Sequence, residues 1–134
     1  MPEFVDIETP YGAFAREELV RNIRYARACV RDSLLRGEVP FASHLFFTQP
    51  GILDDNVPEE RDAGIRAGKE LIEALPKIVT VVYQDLGISK GMQYGIDRAK
   101  ENGRRIKYRI LGDGWEERQI ALEARHSHTD VWMT

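Results

Sequence analysis

The stretch Ile78-Val79-Thr80-Val81-Val82-Tyr83-Gln84-Asp85-Leu86-Gly87-Ile88-Ser89-Lys90-Gly91-Met92 decides the fold. Its β-branched run, Ile78 to Tyr83, lacks period-2 alternation, as a strand does when both faces of its sheet are covered. A turn containing Gly87 follows. Ser89 then stands where a helix N-cap belongs, its hydroxyl able to accept from a backbone N–H two or three residues on. Met92, Ile96 and Ala99 recur at helical spacing, and Gly103 supplies the stop. Strand, turn and capped helix aim backbone N–H groups and the positive helix end at one point, an arrangement that suits an anion. Asp85 falls at the carboxyl end of the strand, where open α/β sheets bind ligands. The competing reading is an acid that caps the turn before Ser89.

Working outward, Phe4 to Glu8 reads as a first strand, its acidic residues unusual for a central one. Thr9-Pro10-Tyr11-Gly12 ends it, since proline cannot donate to a ladder and glycine opens turn geometries. From Arg16 to Arg36 the apolar residues Leu19, Ile23, Ala26, Val30 and Leu34 form one face of an amphipathic helix, and Gly37 ends it. Val39 to Ser43 is a short second strand, and strand–helix–strand implies parallel pairing. The segment from His44 to Pro58 is a long loop, too rich in Phe46, Phe47, Ile52 and Leu53 for a disordered linker.

Pro58 and Glu59-Glu60 open the next helix, with acids where the helix dipole favours them. Gly64, Gly68, Leu71 and Leu75 line one of its faces, and Pro76 ends it. Two glycines inside a helix cost about 1 kcal/mol each, so they imply close packing or close ligand approach. Arg105 to Leu111 is a fourth strand whose alternation of Ile106, Tyr108 and Ile110 with Lys107 and Arg109 suggests an edge with one wetter face. Trp115 to about Arg125 is a last helix, with Ile120 and Ala121 or Ala124 inward, and a tail with Val131, Trp132 and Met133 follows. The expected fold is α/β: a three-layer α/β/α sandwich with a mostly parallel, flavodoxin-like sheet of four to five strands. One domain spans 1–134, with a core of about 4–111 and a C-terminal helix and tail, 112–134.

The totals bound the function. At 134 residues, with 43% hydrophobic and 31% charged residues, the chain has the make-up of an ordinary globular domain. No apolar run approaches the ~20 residues of a membrane span, and the N-terminus lacks the pattern of a signal peptide. The single cysteine, Cys29, excludes an internal disulfide and suits a cytoplasmic location. A net charge of −3 gives no general reason to expect nucleic acid as a partner.

Thr9-Pro10-Tyr11, the helix beginning near Asn22, Pro40-Phe41-Ala42-Ser43-His44-Leu45, Leu53-Asp54-Asp55-Asn56 and Asp85-Leu86-Gly87-Ile88-Ser89-Lys90-Gly91-Met92 occur in an informative order. Together they resemble the nucleoside 2-deoxyribosyltransferase-like superfamily, and most closely its small bacterial and phage branch. The resemblance runs from about residue 4 to residue 111. It implies a nucleoside or nucleotide site at the carboxyl ends of the strands, no cofactor, and a pocket completed in a homodimer or larger homo-oligomer. In the enzymes of the superfamily a glutamate in the helix after the central strand attacks the anomeric carbon, forming a glycosyl-enzyme ester. Tyr11 matches the first-loop tyrosine and Asp85 the strand-end acid. The nucleophile's position falls at Gly95, which has no attacking group.

The candidate ligand-binding residues are therefore Pro10, Tyr11, His44, Gly87, Ser89, Lys90, Gly91 and Met92, with Asp85 as the catalytic candidate. Gly87 to Gly91 is not a P-loop, because its lysine and serine stand in the wrong order. His44 has no metal-ligand cluster around it, Asp54-Asp55-Asn56 lacks the calcium-loop pattern, and no metal is expected. Three readings follow: a nucleoside- or nucleotide-derivative-binding protein without the usual glutamate, an N-glycosidic enzyme using a displaced carboxylate such as Asp85, and a partner-binding module presenting Phe46 and Phe47.

Overall fold

A computed structural model of the chain describes residues 2–13 and 15–126. Its elements are β1 (Phe4–Glu8), α1 (Arg16–Leu35), β2 (Val39–Phe41), α2 (Ser43–Phe47), α3 (Pro58–Glu73), β3 (Val79–Tyr83), α4 (Lys90–Glu101), β4 (Ile106–Arg109) and α5 (Trp115–His126). The four strands form one parallel sheet in the order β2-β1-β3-β4, covered by helices on both faces. This is the expected α/β sandwich with the flavodoxin-like order. No fifth strand occurs among the described residues. From β1 the chain crosses to β2 on one side and returns to β3 on the other. The carboxyl ends of β1 and β3 therefore flank the crevice where doubly wound sheets hold ligands.

The two faces of the sheet differ in chemistry. Val5 and Ile7 of β1 and Val79, Val81 and Tyr83 of β3 point to one side, where Tyr25, Ala28 and Cys29 of α1 and Trp115 of α5 complete the main core. The ring centroids of Tyr25 and Trp115 lie 4.9 Å apart in an edge-to-face pair. The other side has a smaller apolar cluster of Val82, Met92, Ile96 and Ile106. By strand alternation this second side also receives Asp6, Glu8 and Thr80. All five residues of β3 are buried, as its uninterrupted apolar run predicts. Ser89 caps α4: its hydroxyl accepts from the Met92 N–H at 3.2 Å, and the Ser89 N–H donates to the Met92 sulfur at 3.4 Å. Met92, Ile96 and Ala99 face inward, as the spacing predicts.

Elsewhere the periodicity pointed to the wrong stripe. The buried face of α1 is Asn22, Tyr25, Ala26, Cys29 and Ser33, while Leu34 is 56% exposed. Tyr25 and Asn22 are buried because their polar tips find partners, at Asp85 and at the Tyr11 carbonyl. On β4 the wetter side is the apolar one: Tyr108 is 49% exposed, whereas the Arg109 side chain is only 10% exposed. On α5, Trp115 and Gln119 are buried and Ile120 is exposed. The expected loop after β2 contains the short helix α2. The tail residues Val131, Trp132 and Met133 lie outside the described residues.

The glycines of α3 serve close packing. A Cβ at Gly68 would lie 2.8 Å from the Ser43 Cβ, and one at Gly64 would lie 3.1 Å from Leu53 Cδ1. That face of α3 rests on α2 and the loop after it, and among the residues of α3 only Gly68 is fully buried.

A polar clamp ties the edge strand to α1. Arg109 donates to both oxygens of Glu38, at 2.8 and 2.5 Å, and to the Tyr83 hydroxyl at 3.1 Å. Tyr83 donates in turn to Asp32 at 2.7 Å, and Ser33 to Glu38 at 2.8 Å. The hydrogen bonds from Arg109 hold the Glu38 carboxyl below its ordinary value of 4.5. A buried pair that loses one member leaves an uncompensated charge, so Arg109→Met should lower the unfolding free energy by about 3–5 kcal/mol in urea denaturation. Because Glu38 binds its proton more weakly when folded, its contribution is present above the ordinary carboxylate range and is lost as pH falls through the folded value. The destabilisation caused by Glu38→Gln should accordingly shrink on acidification.

Candidate functional site

A cavity of about 110 Å³ opens on the polar side of β1, between the sheet, α3 and α4. Asp6 and Glu8 form its floor. His44, Phe47 and Leu53 line one end, and Lys69, Arg98 and Arg104 contribute cations. The cavity lies beside the carboxyl end of β1, at the point where the strand order changes direction.

The position of Glu8 depends on Gly95. A Cβ at residue 95 would stand less than 3.0 Å from the Glu8 Cδ and from both carboxylate oxygens. The β1 carboxylate therefore occupies the room that any side chain on this turn of α4 would need. This arrangement is invisible when the two positions are read one at a time, because residues 8 and 95 meet only through the β1–β3 pairing and the return of α4 over the sheet.

The two floor acids are electrostatically unusual. Burial pushes Asp6 up from 3.8 to about 6, against the opposing pull of the Arg104 guanidinium and of the Thr80 hydroxyl, which donates to Asp6 at 3.4 Å. Glu8 is raised well above 4.5 by burial and by the neighbouring Asp6, with Arg104 again opposing. Neither acid has a cationic nitrogen within 4.0 Å among the described residues. Two close carboxyls in a weakly polar setting resist ionising together, so the pair retains a proton towards neutral pH. Groups perturbed in this way inside a cavity are candidates for chemistry.

Of the residues singled out in the sequence, His44 and Gly91 line this cavity. Tyr11 backs His44: the rings stack at 5.2 Å and 18°, and the tyrosine hydroxyl is hydrogen-bonded to Thr48. Burial lowers the His44 pKa, which favours a neutral ring at pH 7. Pro10 is buried beside Tyr11, ahead of α1. Gly87 turns the chain with φ at +85°, Ser89 and Met92 cap α4 against each other, and Lys90 is exposed at the first turn. None of these four lines the cavity.

Asp85 also stands outside the cavity lining, and its carboxylate is fully engaged. It accepts from the Tyr25 hydroxyl at 2.5 Å, from the Leu111 N–H at 2.9 and 3.0 Å and from the Gly112 N–H at 3.0 Å. Burial tends to raise its pKa, but these donors outweigh it and hold the group below 3.8. Asp85 thus braces the loop after β4 against β3 and α1, an extension of the turn-capping reading. Cys29 is buried and its thiol is pushed up by that burial, so it stays protonated and unreactive. No cluster of three or more His, Cys, Asp or Glu side chains suited to a metal ion occurs among the described residues. No helix among them is long and apolar enough to cross a membrane.

The chain belongs to a family described as a domain of unknown function, DUF7768, whose model matches residues 3–109. Neither the curated proteins nor the solved structures provide a significant match. The matched span runs from β1 to the end of β4 and so includes every residue that lines the cavity.

The raised acids have a consequence for stability. Asp6 binds its proton more tightly folded than unfolded, so native stability should fall as pH rises from 3.8 to about 6. At 1.36 kcal/mol per unit, the loss is about 3 kcal/mol. Asp6→Asn should remove this fall, stabilising the protein at pH 8 and leaving it nearly unchanged at pH 3.5. Denaturant midpoints measured across the range would reveal the difference.

Proposed function

We propose that the protein binds a nucleoside or nucleotide derivative in the cavity on the polar side of β1, without the usual glutamate nucleophile, whose position is Gly95. The observation that carries this reading is a cavity at the topological switch point lined by buried Asp6 and half-buried Glu8, neither with a cation within 4.0 Å among the described residues, and by His44 and Phe47. His44, backed by Tyr11, and Phe47 offer ring faces to a base. A protonated carboxyl on the floor can donate to a sugar or ring acceptor and an ionised one can accept. The resemblance of the Thr9-Pro10-Tyr11 and Asp85-to-Met92 segments to the deoxyribosyltransferase-like superfamily supports the same class of ligand.

A second reading, an N-glycosidic enzyme with a displaced carboxylate, is favoured by the position of Glu8 over Gly95. The displaced group would be Glu8 rather than Asp85, whose oxygens are all engaged. In that chemistry a Glu8 oxygen attacks C1′ and the C1′–N bond breaks. The electron pair leaves with the base, which takes a proton from the Asp6 carboxyl. Water then adds to C1′, the ester bond to Glu8 breaks, and the water's proton returns to the carboxyl pair.

Thermal unfolding with a panel of deoxynucleosides and their 5′-monophosphates tests the binding reading. A ligand at 100 times its dissociation constant should add about 2.7 kcal/mol of stability. Gly95→Ala, which displaces the Glu8 carboxylate, should abolish the gain. If no member of the panel shifts the transition, the reading is wrong. Base release by the native chain, reduced about 10⁴-fold or more in Glu8→Gln with binding retained, would decide for the enzyme. Binding with no release would decide against it.

A further inference from the structure

The cations of the cavity are unequally committed. Arg98 is paired with Glu73, and Arg61 lies 3.9 Å from Asp55. Lys69 and Arg104 have no carboxylate within 4.0 Å among the described residues, although both line the cavity. The Arg104 Nε is buried and has no hydrogen-bond partner among the described residues. A buried donor without an acceptor is costly, and a site that holds one gains when a ligand supplies the missing acceptor. Asp6 and Glu8 feel the charge of Arg104 but do not discharge this role, because neither carboxylate comes within 4.0 Å of its nitrogens.

The geometry points to an anion subsite between Lys69 of α3 and Arg104 at the start of β4, which takes the phosphate monoester of a nucleotide. This rests on the nucleoside-binding reading and deepens it. The base lies towards His44 and Phe47, the sugar over Glu8, and the phosphate against the two uncommitted cations of the lining, Lys69 and Arg104. Arginine suits a phosphate through its planar fork of N–H donors, and lysine suits it as a mobile point charge. The ligand is then a nucleoside monophosphate rather than a free nucleoside.

Calorimetric titration of the full chain at pH 7 with a 2′-deoxynucleoside, its 5′-monophosphate and inorganic phosphate tests this. The monophosphate should bind about tenfold or more tightly than the nucleoside, the range expected of a charge-assisted contact. Its advantage should diminish with added salt. Lys69→Met should remove most of the advantage while leaving the nucleoside affinity unchanged. Lys69 lies on α3 outside the hydrophobic core, so this variant should fold even if Arg104→Gln does not. Inorganic phosphate should bind weakly to the native chain, compete with the monophosphate and lose affinity in Lys69→Met. Equal affinity for nucleoside and monophosphate would overturn the phosphate subsite and leave the nucleoside-binding reading standing. A monophosphate preference that survives Lys69→Met unchanged would also overturn the subsite. Binding by none of the three ligands would bring down both.

Discussion

The placing of two acids, buried Asp6 and half-buried Glu8, on one face of a central parallel strand is the constraint around which the second half of the molecule is arranged. Parallel strands in doubly wound sheets are normally apolar on both sides, because helices cover both. Here β1 is apolar towards α1 and α5 and acidic towards α3 and α4. Carboxyls cannot form an apolar interface, so the layer above them cannot close like the layer on the other side. It holds a cavity instead, with Thr80 and Arg104 tempering the cost of burying two acids. The smaller apolar cluster of Val82, Met92, Ile96 and Ile106 seats α4 next to this opening, while α3 rests on α2 and its loop. The asymmetry between the two faces therefore leaves an opening where the topology already provides a crevice.

The sequence made the chain's architecture legible wherever one segment determined its own structure. The run Ile78 to Tyr83, the N-cap at Ser89 and the inward stripe of Met92, Ile96 and Ala99 all behave as their local chemistry predicts. The unusual acidity of Phe4 to Glu8 was visible as well. Reading failed where burial depended on a partner distant in sequence. The α1 stripe runs through Asn22, Tyr25 and Ser33 because Tyr11, Asp85 and Glu38 satisfy their polar atoms. The edge strand buries Arg109 and exposes Tyr108 because Glu38 and Tyr83 form an acceptor pair for the guanidinium. A hydrophobic pattern ranks side chains by their own polarity and carries no record of such partners.

The same limit separates the two acids at adjacent strand ends. Asp85 and Glu8 are both acids at a strand's carboxyl end, and the sequence reading singles out Asp85 by its place there and its match to the superfamily's strand-end acid. Their surroundings assign them opposite roles. Three donors converge on Asp85, holding it ionised, occupied and out of the cavity. Glu8 meets a second acid, no cation within 4.0 Å, and a glycine that makes room for its carboxylate. A satisfied, stabilised carboxylate has no driving force to leave its donors for a ligand. One that is poorly solvated and stands beside a second acid gains from any group able to donate to it. Gly95 leaves open the room that the Glu8 carboxylate occupies from the opposite side of the cleft.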